Sequence, residues 1–176
     1  MNEFHGSVPM PAVDAVSPGN YLGFYGMPMF LIVPTADLEA STDFWLRGLG
    51  FDNLFSIPGQ VVHLRRWAFQ DVLLRPATPG TVGAAGASGA AGISGASISF
   101  SCVRGELDEI RQRCEEITPG CTTEPELMPW NSIEATVVTP DGTNVVLTAA
   151  LPIDPDGGVA DRLAAAGIAI PGRTGK

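Results

Sequence analysis

Val33-Pro34-Thr35-Ala36-Asp37-Leu38-Glu39-Ala40-Ser41-Thr42-Asp43-Phe44-Trp45-Leu46-Arg47-Gly48-Leu49-Gly50-Phe51 leaves an apolar strand, passes through a helix and re-enters a strand. Just upstream, Phe30-Leu31-Ile32-Val33 is short, apolar and partly β-branched, and Pro34 closes it, which reads as a strand. Asp37 stands where an N-cap is needed, and Glu39 and Asp43 fall early, where carboxylates complement the helix dipole. Leu38, Phe44, Trp45 and Leu46 form the apolar face, and Gly48 and Gly50 end the helix.

Outward from this stretch the pattern continues as strands. Residues 51–57 read as one, Pro58-Gly59 as a turn, 61–67 as the next strand and 71–75 as a third. The order is strand, helix, strand, strand, strand. Residues 77–97, rich in Gly, Ala and Ser, carry no period and read as a flexible linker.

Beyond the linker the same order returns. Residues 98–103 read as a strand, and 106–117 as a helix with Leu107, Ile110, Cys114 and Ile117 on one face, stopped by Thr118-Pro119-Gly120. Residues 122–124, 133–139 and 145–149 are three further strands, the last two joined at Pro140-Asp141-Gly142. This internal repeat makes the chain an α+β protein of two βαβββ modules whose curved sheets leave a concave cavity. The expected divisions are an N-terminal arm (1–26), a first module (27–76), the linker (77–97), a second module (98–150) and a C-terminal tail (151–176) with a helix near 160–166. The aromatic residues Tyr21, Phe24 and Tyr25 imply that the end of the arm docks on the body.

Bulk properties narrow the function classes. A net charge of −9 repels nucleic acid and anionic membrane and is compatible with a cationic ligand. Cys102, Cys114 and Cys121, odd in number and without CxxC spacing, point to ordinary buried thiols. No basic residue precedes Arg47, so no signal-peptide charge cluster is present, and the apolar run 27–34 is too short to span a bilayer. A cytoplasmic location is expected.

Three segments resemble the vicinal oxygen chelate superfamily of glyoxalases, bleomycin-resistance proteins and extradiol dioxygenases. The opening stretch is similar to that family's V-x-D-L-x-x-S-x-x-F-Y … L-G-F. His63-Leu64-Arg65-Arg66 with Gln70-Asp71-Val72-Leu73-Leu74 resembles the closing hairpin of its first module. Pro129-Trp130-Asn131 with Thr139-Pro140-Asp141-Gly142-Thr143-Asn144 resembles its P-W-G … D-P-D-G-N ending. The likeness covers roughly residues 27–150 and implies a half-barrel of two modules around a concave cavity.

The resemblance also implies a divalent metal held by His, Gln or Glu at the first and last strands of each module, since a Lewis-acid site needs lone-pair donors. Met29 falls at or near the first of these positions. Residues 71–75 offer only Asp71, and residues 98–103 hold no His, Glu or Gln. Val145-Val146-Leu147 stands where the family often has I-E-L. No metal and no cofactor is therefore expected, and no catalytic residue is assigned.

What remains is an aromatic-walled pocket. Trp67, Phe69 and Trp130 border the groove of the resembling family, with Phe55, His63, Asp71, Asn131 and Glu134 completing the expected ligand-binding set. Flat aromatic walls suit flat ligands, and Asp71 and Glu134 suit a cationic group. The resemblance is nearest in character to metal-free bleomycin-resistance proteins, which implies a homodimer that sequesters a cationic or aromatic antibiotic. The competing classes are a glyoxalase-like lyase or isomerase, with His63 as a general base, and a structural or regulatory module with no small ligand.

Overall fold

The computed structural model describes residues 12–24, 29–77 and 97–167. The first module consists of β1 (Leu31–Thr35), α1 (Leu38–Asp43), a π-helical turn over Phe44–Gly48, β2 (Asp52–Ile57), β3 (Val61–Arg65) and β4 (Asp71–Pro76). The second consists of β5 (Ser97–Ser101), α2 (Arg104–Ile117), β6 (Glu126–Leu127), β7 (Ser132–Val138) and β8 (Asn144–Ala150), followed by α3 (Gly158–Ala165).

The two sheets have one topology, β1-β4-β3-β2 and β5-β8-β7-β6. In each, the first strand runs parallel to the last and the remaining pairs are antiparallel. Neither closes into a barrel. The protein is an α+β fold of two βαβββ modules. Of the expected boundaries, residues 1–11 (with His5), 25–28 (with Tyr25), 78–96 of the linker and 168–176 of the tail lie outside the described residues.

Period-two alternation decides which face of each sheet is buried. Val33, Val62, Leu64, Val72 and Leu74 turn into the core from the first sheet, and Phe100, Ala135, Val137, Val145, Leu147 and Ala149 from the second. Trp45 lies at the junction of the modules, its ring edge-on to Phe51 at 5.1 Å and to Phe100 at 6.1 Å between centroids. All three cysteines are free and buried, and burial pushes the Cys102 and Cys114 thiols up to about 12, so neither is a nucleophile at neutral pH.

Each module grips the other through its β3–β4-type turn. Arg66 and Gln70, between β3 and β4, donate to Ser101 O at the end of β5, each at 2.9 Å, and Arg66 pairs with Glu106 in α2 at 2.7 Å. In return Asp141, between β7 and β8, accepts from Ser41 of α1 at 3.3 Å, and Ser41 shares a 2.6 Å hydrogen bond with Thr35. Thr139 Oγ1 and Thr143 N also donate to Asp141, at 2.6 and 3.2 Å. Buried polar groups of this kind persist only when satisfied, and these are.

Part of the arm forms a strap over the first sheet. Tyr21 N donates to Arg66 O at 2.7 Å, Arg65 Nη1 donates to Gly23 O at 2.6 Å, and Asn20 Nδ2 donates to Asp52 at 2.7 Å. Tyr21 docks as expected, whereas Phe24 is 90% exposed and does not.

Two elements differ from the sequence reading. The strand expected at 122–124 is reduced to a single bridge, Thr122 to Val137, and pairing resumes at Glu126–Leu127. Pro125 lies between the two and has no N–H to donate to the ladder. The first helix changes to π geometry after Asp43, with Leu49 N bonded to Phe44 O at 3.2 Å.

Candidate functional site

The faces turned away from the core carry the chemistry. On the first sheet the register sets Ile32, Leu73, His63 and Phe55 in one row across all four strands. Ile32 is 50% and Phe55 56% exposed. Phe30 meets His63 edge-on, with ring centroids 5.1 Å apart.

Beside this row, Asp71 Oδ1 lies 2.7 Å from both Arg65 Nε and His63 Nε2. Asp71 is buried, and burial pushes its carboxyl up to about 6, while the Arg65 guanidinium favours the ionised form. Burial, then the Arg65 charge, lowers the His63 imidazole below its ordinary 6.5, so it is neutral at pH 7. A neutral His63 that donates from Nε2 keeps its lone pair on Nδ1, which makes that atom a hydrogen-bond acceptor or base. Asp71 already balances Arg65, so it is not the counter-ion for a cationic ligand that the sequence reading made it.

Asp71 also lines a cavity of about 440 Å³ with Met29, Phe30, Phe69, Phe100 and Ser99 among its walls. Phe69 is held there at φ 66° in the left-handed region, 58% exposed. A bulky residue seldom adopts that conformation, and strain of this kind gathers at functional sites.

On the second sheet the corresponding row is Ser101, Thr148, Glu134 and Glu126. Trp130 stands over it, 65% exposed, with Nε1 donating to Glu134 Oε1 at 2.7 Å; Ser132 Oγ donates to the same oxygen at 2.7 Å. Asn131, at φ 69°, fixes the turn by donating from Nδ2 to Leu151 O at 2.9 Å and Pro152 O at 3.1 Å. Asn131 therefore positions the indole through the backbone. Glu126 and Glu134 face each other across the ladder, a like-charge pair that destabilises unless a cation meets it. Among the described residues neither has an ion-pair partner.

Trp67 departs from expectation. It is 1% exposed, lies just beyond β3 beneath the strap, donates from Nε1 to Ser17 Oγ at 3.2 Å and stacks under Arg66 with the guanidinium 4.7 Å from the ring. It is a core side chain and shows no surface to a ligand. The order in the strap that buries it comes from hydrogen bonds to residues 12–24, a stretch without periodicity. No sequence signal marked Phe30 and Arg65 as members of the site, although Phe30 immediately precedes β1 and Arg65 faces Asp71 across the β3–β4 ladder.

The donor set does not fit a family-type metal. Met29 is an exposed thioether, Asp71 is held by Arg65 and His63, and the second sheet presents Ser99, Val146 and Thr148 near the corresponding positions. Among the described residues no group of three or more His, Cys, Asp and Glu side chains is placed to hold an ion. No helix among them is long and apolar enough to cross a membrane.

No protein-family model and no curated protein matches the chain. Solved structures do. A glyoxalase/bleomycin resistance protein/dioxygenase from Nocardioides superimposes with a TM-score of 0.53 at 22% identity, covering 77% of this chain and 90% of its own. TnmS3, an antibiotic binding protein from Streptomyces sp. CB03234, gives 0.52 at 20% identity, with 72% and 97% covered. Lactoylglutathione lyase from Agrobacterium tumefaciens gives 0.50 at 20%, with 71% and 94% covered. Identities this low speak to architecture alone, and together with the repeated β1-β4-β3-β2 topology they establish that the chain has the fold of the vicinal oxygen chelate superfamily.

Proposed function

We propose that the protein is a metal-free binding protein that sequesters a small, flat, cationic molecule of antibiotic type in the cytoplasm, in a groove completed by a second copy of the chain. The observation that carries this reading is Trp130, a large indole left 65% exposed yet held by hydrogen bonds at both the ring and the turn. Fixed exposed aromatics beside carboxylates suit aromatic cations. The second support is the pair of outward rows, one apolar and aromatic, the other polar and acidic, which between them offer a flat cation a stacking surface and carboxylates. The similarity in fold to an antibiotic binding protein is consistent with this use.

Thermal shift against cationic polycyclic compounds tests the proposal, because a ligand of the native state raises the melting temperature with the logarithm of its concentration over Kd. A hit that is lost in Trp130→Ala and weakened in Glu134→Gln supports it. If no such compound stabilises the protein, or if hits survive both substitutions, the site is wrong. Light scattering at tens of micromolar tests assembly: a dimer is expected, and a monomer counts against the shared groove. Metal analysis of purified protein should find no stoichiometric ion.

A second reading, a metal-independent lyase or isomerase, is favoured by the His63–Asp71 pair beside the 440 Å³ cavity. Ligand that is converted, with turnover abolished by His63→Gln while binding remains, would select it.

A further inference from the structure

A cavity of about 850 Å³ belongs to neither outward face. It lies on the helix side of the first sheet, between α1 and the β2–β3 hairpin. Its origin is local. The π-helical turn carries the helix toward α2, and the bulge between Asn53 and Phe55 breaks the regular register of β2. The edge strand β2 is left without a helix packed on it. Leu38, Leu46, Ile57 and Val62 form an aliphatic floor, with no aromatic side chain among the lining residues.

Among the described residues the rim carries one sign of charge only: Asp37, Glu39 and Asp43 line it, and no Lys or Arg does. Asp37 caps α1 through Oδ1, Asp43 pairs with the exposed Arg47 at 2.9 Å, and Glu39 has no cationic partner among the described residues. An aliphatic floor beneath an acidic rim is complementary to an aliphatic chain ending in a cation. The volume falls within the roughly 300–1,000 Å³ of small-molecule sites. We propose that this groove is a second binding site, for a small aliphatic ammonium, separate from the outward faces and independent of Trp130.

The test uses the full chain and three probes of equal chain length: n-octylamine, n-octanol and octanoate. Backbone NMR should show octylamine shifting residues of α1 and the 57–62 turn, octanol shifting them weakly and octanoate not at all. Glu39→Gln with Asp43→Asn should weaken octylamine roughly fivefold, as expected for the loss of two exposed ion pairs. High salt should weaken it likewise. Ser56→Phe, which fills the groove from a strand position tolerant of aromatics, should abolish the shifts. Trp130→Ala should leave them unchanged, so failure here and failure of the proposed function are told apart. Equal binding of octanol and octylamine overturns the proposal, as do octylamine shifts confined to the His63 or Trp130 faces. Concentration-dependent protection of α1 in ligand-free protein also overturns it, by showing that a second copy covers the groove.

Discussion

At the scale of single residues, the three tryptophans separate packing from presentation. Trp45 is fully buried, and its Nε1 has no hydrogen-bond partner among the described residues. Trp45→Ala should cost about 3–5 kcal/mol of stability, the usual range for removing a core aromatic. Trp45→Phe should cost far less, because deleting the unpaired N–H, worth about 1–3 kcal/mol, offsets the smaller volume lost. Trp130→Ala should leave denaturant midpoints nearly unchanged. Chemical denaturation of the three variants checks all three outcomes together.

His63 and Asp71 give opposite pH slopes. The His63 pKa is lowered in the native state, so below 6.5 the native protein holds fewer protons than the unfolded chain, and stability falls on acidification through that window. The Asp71 pKa is raised from 3.8 to about 6, so between those values the native protein holds more protons, and stability falls as pH rises. Relative to wild type, His63→Gln should therefore gain stability as pH drops below 6.5. Asp71→Asn should gain as pH rises from about 4 to 6, less the loss of its bonds to Arg65 and His63. Melting curves at intervals from pH 4 to 7 measure both gaps, and a gap that stays constant with pH contradicts the assignment for that residue.

At the scale of elements, strands with strict alternation were legible because one face of each must be buried. The 61–67 stretch reads two residues too long: the alternation of Val62, His63, Leu64 and Arg65 breaks at Arg66, where the backbone already turns. The π-helical turn was invisible, because a shift from i−4 to i−5 bonding changes no residue type. Asn131 is instructive in another way. The resembling family has Gly at this place, and the structure supplies the reason, a positive φ that Asn tolerates better than most residues. Asn131→Ala should cost on the order of 1–3 kcal/mol, combining left-handed strain with two lost hydrogen bonds. It should also loosen Trp130, which the polarisation of tryptophan fluorescence would register as added ring mobility.

At the scale of the whole molecule, the two modules are joined by more than apolar contact. The motif residues that carried the resemblance, Ser41 in the first module and Asp141 in the second, touch each other, and Arg66 with Gln70 performs the reciprocal task at Ser101 and Glu106. Sequence spacing could place each of these on its own element but had no means of pairing them, since hydrogen bonds up to a hundred positions apart leave no local period. Asp141→Ala would strip Thr139 and Ser41 of a buried acceptor while removing no apolar packing. Its expected cost is about 2–4 kcal/mol, drawn from the desolvation of two hydroxyls left short of a partner. Ser41→Ala, which removes one donor and leaves Thr139 and Thr143 on Asp141, should cost about 1 kcal/mol. If the latch acts between the modules, both substitutions should speed hydrogen exchange at the start of α1 as well as in the β7–β8 turn. Faster exchange in the turn alone would mean that Asp141 serves only its own hairpin, and that the core around Trp45 is what holds the modules together.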